Sequence, residues 1–284
     1  MKYESSKDIE NALLQFNIKP KKRLGQHFMT DIDVLKEIVE LAKIKKDEEI
    51  VEVGSGIGNL TYWLSKKAFK VYAVEFDRKM QQVLSGLQKE RKNIYPVFAD
   101  ALREDLEKII PVNQRIKLVA NLPYNIAATL ILDYLEKYSF FKEFIVTVQK
   151  EVGQRILSIP GKKNFGAYTL KVKCYAEGEF LKEIPSNAFF PEPKVSSWLI
   201  RIKRKKRSDE IGHKELFFKM VDAAFYQRRK IIINSLMNSN LFKKFGKNEW
   251  EEILRKVGIS PKVRGETLSF LEYKNLFDEL KKSL

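Results

Sequence analysis

The chain has 284 residues, 44% of them hydrophobic, and 53 Lys and Arg against 37 Asp and Glu give a formal net charge of +16. That length holds one large domain, or a large and a small one, with a sizeable core, and so positive a balance points to a polyanionic partner, nucleic acid first. A single cysteine, Cys174, excludes an intramolecular disulfide, the distant His27 and His213 give no zinc spacing, so no metal is expected, and no apolar run is long enough to span a membrane.

The opening MKYESSKDIE lacks a signal-peptide core, so a cytoplasmic protein is expected. Residues 1–24 read as a basic arm, with a short amphipathic stretch (Ile9, Leu13, Leu14, Phe16) and then the run Lys19 to Arg23. Ile32, Leu35, Ile38, Val39 and Ala42 recur at helical spacing. Strands and helices then alternate. Strands are predicted at 49–53, 71–75, 94–98, 116–120 and 144–148, with helices at 60–67, 78–87, 102–110 and 127–137 between them. This is the pattern of an α/β fold with a parallel sheet covered on both faces. Two further strands, 179–184 and 197–203, belong at one edge. Cys174 lies in the apolar stretch 168–176, where a packing role is expected. The run Lys203 to Arg207 closes the alternating region and sets a boundary, with a first domain at 1–207 and a second at 208–284. Beyond it the pattern is helical, at 216–225, 230–236, 250–257 and 271–280.

The first predicted strand runs into Gly54-Ser55-Gly56-Ile57-Gly58, where Gly54 and Gly56 permit a tight turn and close approach of a ligand to a helix N-terminus. The second strand ends at Glu75, whose carboxylate can accept both ribose hydroxyls of a nucleoside. The third ends at Asp100, which can accept the adenine amine hydrogens or simply cap a helix. These residues fit an adenosine pocket at the carboxyl edge of the sheet but do not separate S-adenosylmethionine from a nicotinamide dinucleotide.

The fourth strand ends in Asn121-Leu122-Pro123-Tyr124. An exocyclic adenine amine is a poor nucleophile, because its lone pair is conjugated into the ring. A carboxamide oxygen and the carbonyl beside a proline can accept its two hydrogens, bend it toward tetrahedral geometry and stabilise the charge that develops on methyl transfer. Tyr124 offers a face on which an extruded base can stack. This loop favours methylation of an amine.

Several segments resemble one family in order: Arg23-Leu24-Gly25-Gln26-His27-Phe28-Met29, Val51-Glu52-Val53-Gly54-Ser55-Gly56, Asn121 to Ile126, Phe189-Phe190-Pro191-Glu192-Pro193-Lys194-Val195, and Gln227-Arg228-Arg229-Lys230 with Asn234-Ser235-Leu236. Together they resemble the KsgA (RsmA)/Dim1 small-subunit rRNA adenine dimethyltransferases over roughly residues 20–275. The resemblance implies a class I, Rossmann-like methyltransferase fold with a small helical C-terminal domain. It implies transfer of four methyl groups from S-adenosyl-L-methionine, leaving S-adenosyl-L-homocysteine, to two adjacent adenines in the hairpin loop near the 3′ end of 16S rRNA in the immature 30S subunit. It also implies cofactor contacts at His27, Met29, Gly54, Glu75, Asp100 and Asn121. The family usually has Asn-Phe-Leu where this chain has His27-Phe28-Met29, and often Pro where Ser55 sits. Phe189 and Phe190 are candidates to sandwich the target base opposite Tyr124.

Three basic groups read as a phosphate-tracking surface: Lys21, Lys22 and Arg23; Lys203 and Arg204; and Arg228, Arg229 and Lys230. A monomer is expected. The nearest alternative is an Erm-type enzyme acting on 23S rRNA, which usually carries an Asn-Ile-Pro-Tyr-like loop. A ribosome-assembly factor that works mainly by binding is the alternative of a different class. A DNA adenine methyltransferase, commonly with Asp-Pro-Pro-Tyr, and a nicotinamide-dependent dehydrogenase fit less well.

Overall fold

The computed structural model describes residues 2–111, 116–206 and 211–283. The Val- and Ile-rich runs become strands buried on both faces, which is what a central parallel sheet requires. The strands are β1 (Phe28–Met29), β2 (Glu49–Val53), β3 (Lys70–Glu75), β4 (Ile94–Phe98), β5 (Ile116–Asn121), β6 (Glu143–Gln149), β7 (Ala176–Ile184), β8 (Phe189–Phe190) and β9 (Ser197–Arg204). Seven form one sheet in the order β4-β3-β2-β5-β6-β9-β7, and β1 pairs with β8 separately. Pairs β2/β3, β3/β4, β2/β5 and β5/β6 are parallel, whereas β9 is antiparallel to β6. The chain leaves β2 toward β3 on one side and later returns to β5 on the other. That reversal opens a crevice at the carboxyl ends of β2 and β5, where open α/β sheets bind ligands.

The helices are α1 (Ser6–Gln15), α2 (Ile32–Leu41), α3 (Asn59–Ser65), α4 (Gln81–Glu90), α5 (Leu106–Ile109), α6 (Ala127–Lys137), α7 (Lys150–Ile156), α8 (Ala167–Tyr175), α9 (Lys214–Phe225), α10 (Ile232–Met237), α11 (Lys247–Lys256) and α12 (Phe270–Lys281). Among the described residues no helix is long and apolar enough to cross a membrane.

Residues 2–24 do not form a separate arm. Ser5 and Asp8 form a capping box that starts α1. Ile9, Ala12 and Leu13, at helical spacing, are buried in the same core as α2 and α3. Buried Tyr3 donates its hydroxyl hydrogen to the Ile57 carbonyl at 2.8 Å, which anchors the start of the chain on the glycine loop. The helix expected at 102–110 shrinks to α5. Asp100 accepts from the Leu102 N–H in a tight turn, and Asp105 caps the helix that follows.

The chain divides into two compact units, Met1–Gly153 with Gly178–Arg204, and Gln154–Glu177 with Lys205–Leu284. The boundary expected between residues 207 and 208 lies outside the described residues, as does the last residue of the basic run, Arg207. The described chain changes unit between Arg204 and Lys205, and the second unit also takes Gln154–Glu177, which the sequence reading keeps in the first. The reason is local. Helix α8 buries Leu170, Val172, Cys174 and Tyr175. Tyr175 meets Phe218 edge-on, and Lys171 pairs with Asp222 at 2.8 Å. Burial pushes the Cys174 thiol up to about 12, so this cysteine packs rather than reacts. Phe217, Phe277, Phe225 and Tyr273 stack through the interior of this second unit.

Candidate active site

In the first unit, the carboxyl ends of β2, β3 and β5 and the turns after them enclose a cleft of about 290 Å³. It is lined by segments 24–29, 52–56, 74–76, 99–103 and 121–126, with Asn59 and Leu60. His27, Met29, Gly54, Gly56, Glu75, Asp100, Asn121, Leu122, Pro123 and Tyr124 therefore all face one cavity.

The glycine loop takes left-handed backbone at Gly54 (φ 75°) and Gly56 (φ 56°). A Cβ at residue 54 would lie 2.8 Å from the Pro123 ring, and one at residue 56 would lie 2.9 Å from the Phe28 ring. Glycine is what allows this loop to touch both the 121–124 turn and the 27–29 segment. Its amides are spent internally. Gly54 and Ser55 donate to the Val74 carbonyl, Gly58 donates to the Ser55 carbonyl, and Gly56 donates to Glu75 Oε2 at 2.7 Å. These amides leave no nest for a pyrophosphate.

The buried titratable groups in the cleft are acids, not the cations that a phosphate needs. Burial raises the Glu75 carboxyl, although the Asp77 and Gly56 amides donate to it. Burial pushes Glu52 up to about 8, offset in part by the Thr61 hydroxyl, which donates at 2.5 Å. Two buried carboxyl groups, both raised by burial, give an anion nothing to pair with, whereas a cation beside them would draw them toward their ionised forms. This is the electrostatic distinction between a sulfonium nucleoside and an anionic dinucleotide that the motif alone does not supply. Ser55 and Asn121 also line the space, and their Oγ and Oδ1 atoms are buried without a partner.

Asn121 is held from one side. Its Nδ2 donates to the His27 carbonyl at 3.0 Å, which turns Oδ1 to the side with no protein partner. The Leu122 N–H donates to the Thr147 carbonyl on β6, so the start of the turn is tied to the sheet. Tyr124 contacts Ser197 Oγ through its hydroxyl at 2.5 Å, and burial raises its phenol. The His27 ring stacks on Tyr124 (5.1 Å, 24°), and its Nδ1 lies 2.6 Å from the Pro191 carbonyl. A carbonyl only accepts, so Nδ1 carries the hydrogen, and only Nε2 remains for a ligand.

Phe189 is not placed to sandwich a base opposite Tyr124. Phe189 is buried and meets Tyr124 edge-on (6.5 Å, 69°), paired across β1/β8 with Met29. It packs behind the site. Phe190, 52% exposed, is the one left with an open face. Asp100 divides its roles: Oδ1 closes the turn to Leu102, while Oδ2 lies 3.6 Å from Arg103 Nε. Glu52, Phe76, Gln26 and Leu102 also line the cleft, and the sequence reading gave none of them a role. For Phe76 the signal was an aromatic directly after the strand-end acid. It is 55% exposed, a poor position for a core residue.

Three of the expected RNA contacts are committed inside the protein. Lys21 pairs with Asp77 at 2.5 Å. Arg204 donates to the carbonyls of Phe141, Leu135 and Tyr138. Arg228 pairs with Glu266 and donates to the carbonyls of Lys162 and Lys163. The remaining five, Lys22, Arg23, Lys203, Arg229 and Lys230, have no carboxylate within ion-pair distance among the described residues.

Residues 17–282 match the family described as ribosomal RNA adenine dimethylase. The chain belongs to the ribosomal RNA adenine dimethylase family. Among its relatives is a ribosomal RNA small subunit methyltransferase A of Clostridium acetobutylicum, 39% identical over 94% of this chain and 95% of that protein. Another, of Clostridioides difficile, is 37% identical over 93% and 92%. Solved structures share the fold. A dimethyladenosine transferase from Plasmodium falciparum aligns with a TM-score of 0.77 at 22% identity, covering 90% of this chain and 98% of that one. The 23S rRNA methyltransferase ErmE aligns at 0.68 and 24%, covering 89% and 99%. In this family S-adenosylmethionine is the methyl donor, and a cleft lined by acids and, among the described residues, free of buried cations suits its positive charge.

Proposed function

We propose that this rRNA adenine dimethylase acts on the small ribosomal subunit. It would transfer methyl groups to the N6 amines of two adjacent adenines in the hairpin loop near the 3′ end of 16S rRNA, during 30S assembly, as a cytoplasmic monomer. The observation that carries the reading is Asn121, a half-buried residue of the cleft lined also by Glu52 and Glu75, whose carboxamide Oδ1 is buried without a partner. The relatives at 36–39% identity are named small-subunit enzymes, which favours that subunit over 23S rRNA.

S-adenosylmethionine supplies an electrophilic methyl on a sulfonium sulfur. The chain's residues do the rest. Glu75 would accept the ribose hydroxyls through its remaining lone pairs, and Asp100 Oδ2 the donor's adenine amine. Phe76 would cover that ring. Met29, Gly54 and Gly56 would line the donor, and His27 would meet its carboxylate only through Nε2. Asn121 Oδ1 and the Leu122 carbonyl would take both hydrogens of the target amine, freeing its lone pair for attack, with Pro123 fixing the turn. Tyr124 and Phe190 would hold the extruded base. The N-methylated ammonium is acidic and loses its proton to water, so no strong base is required. Lys22, Arg23, Lys203, Arg229 and Lys230 would follow the phosphates.

The test is to incubate the protein with labelled S-adenosylmethionine and either undermethylated 30S subunits or 23S rRNA, then map the modified nucleotides. The expected result is dimethyladenosine at two adjacent positions of 16S rRNA. Label confined to 23S rRNA would overturn the assignment.

A further inference from the structure

Tyr3 and Glu4 lie far in sequence from the glycine loop, yet they hold that loop and the helix that follows it. Tyr3 is fully buried. Its hydroxyl donates to the Ile57 carbonyl at 2.8 Å, and its ring meets Tyr62 edge-on at 6.1 Å and 89°. Glu4 accepts from the Tyr62 hydroxyl and from Lys66 Nζ, the latter at 2.8 Å. Ile57 sits in the middle of the loop, Tyr62 belongs to α3, and Lys66 directly follows that helix. Neither Tyr3 nor Glu4 lines the cleft, so the grip comes from outside it.

The loop needs such a restraint. Ile57 stands between Gly56 and Gly58, both left-handed, at φ 56° and 78°. Glycine reaches those angles without a steric cost, but it also leaves them freely. Two bonds tie the cleft-lining segments to α3: Asn59 Nδ2 donates to the Met29 carbonyl, and the Thr61 hydroxyl donates to Glu52. The Ile57 carbonyl, at the turn itself, is served by Tyr3. A phenylalanine would fill the same space beside Tyr62, so packing alone does not call for a hydroxyl there. Without it, a buried carbonyl loses a donor.

This grip is separable from the fold. The capping box that starts α1 reaches back to the Glu4 amide, and Tyr3 stands ahead of it. Ile9 and Leu13 hold α1 in the core independently. A segment of that kind can let go while the helix and the sheet stay folded.

We infer that Tyr3 is a positioning residue for the methyl donor: docked on Ile57, it holds the glycine loop in the shape that S-adenosylmethionine fits. The donor then binds only the docked form, and its apparent affinity scales with the docked fraction. The coupling is reciprocal, so a bound donor holds the start of the chain in place. The inference rests on the reading of the cleft as the donor site, and it adds no group to the reacting atoms.

The experiment makes two measurements on the full chain. The first is hydrogen exchange of the wild type, read by mass spectrometry, with and without S-adenosylhomocysteine. The ligand should slow exchange in residues 52–58 and 121–124, which border the cleft, and also in residues 2–8, which do not touch it. The second is calorimetric titration of Tyr3→Phe with S-adenosylmethionine. The variant should bind about ten-fold more weakly, while its unfolding temperature without ligand stays close to wild type. A Tyr3 that served the fold alone would show the reverse, a lower unfolding temperature with donor affinity unmoved. That result, or exchange in residues 2–8 that ignores the ligand while the cleft is protected, would overturn the inference and leave the cleft assignment standing. The cleft assignment fails separately, if the ligand binds and residues 52–58 and 121–124 exchange as before.

Discussion

A buried carboxyl with no cation beside it stays protonated unless the pH is high, and Glu52 is in that position. Its burial, the Thr61 hydroxyl and the neighbouring Glu75 are the groups that act on it, and together they push it up to about 8. A raised carboxyl stabilises the fold in its neutral form, so its contribution is present at low pH and is lost as pH rises through about 8. Thermal unfolding followed from about pH 4.5 to 8 should therefore show a fall in the wild type that Glu52→Gln flattens, with no further contribution from this group at higher pH. An identical pH profile in the two proteins would mean that Glu52 is ionised in the fold. Glu75, Asp100 and Asn121 were legible in the sequence because each ends a strand, and strand ends converge at one edge of a parallel sheet. The commitments of Lys21 and Arg228 were not legible. Their partners, Asp77 and Glu266, lie 56 and 38 positions away, and only the fold brings them together.

At the scale of elements, the glycine loop and the 121–124 turn behave as one object, because Gly54 and Pro123 touch. Gly54→Ala places a side chain both at a left-handed φ and against the Pro123 ring. The backbone cost alone is about 1–2 kcal/mol, and the clash forces the two loops apart. Calorimetry should show weaker S-adenosylmethionine binding together with a lower unfolding temperature; unchanged binding would mean that the loops do not need this contact. The turn at 228–230 separates structure from binding. Arg228→Ala removes three internal bonds, one of them to a carboxylate, and should lower stability by about 1–3 kcal/mol. Arg229→Ala should leave stability alone and weaken RNA binding in a salt-dependent way. Equal unfolding temperatures for the two variants would contradict this division. The strands were readable because buried β-branched runs are unambiguous between turn signals. Helices α7 and α8 were not. Gly153, Pro160, Gly161 and Gly166 interrupt that stretch, and α8 is buried on most sides, so its apolar residues show no single-face period.

At the scale of the molecule, a charge of +16 coexists with a cleft whose buried groups are carboxylic. The exposed cations suit RNA, whereas the cleft suits a cationic donor, so the two ligands are sorted by charge. The central claim is that the Asn121 carboxamide oxygen acts on the target amine and not on the fold or the donor. The most direct measurement is single-turnover methyl transfer to undermethylated 30S subunits by Asn121→Ala, with donor affinity measured by calorimetry in parallel. The account predicts a rate lower by about 100- to 1000-fold, with S-adenosylmethionine affinity and unfolding temperature close to wild type. A variant that methylates at the wild-type rate, or that loses rate only because it no longer binds the donor, would contradict it.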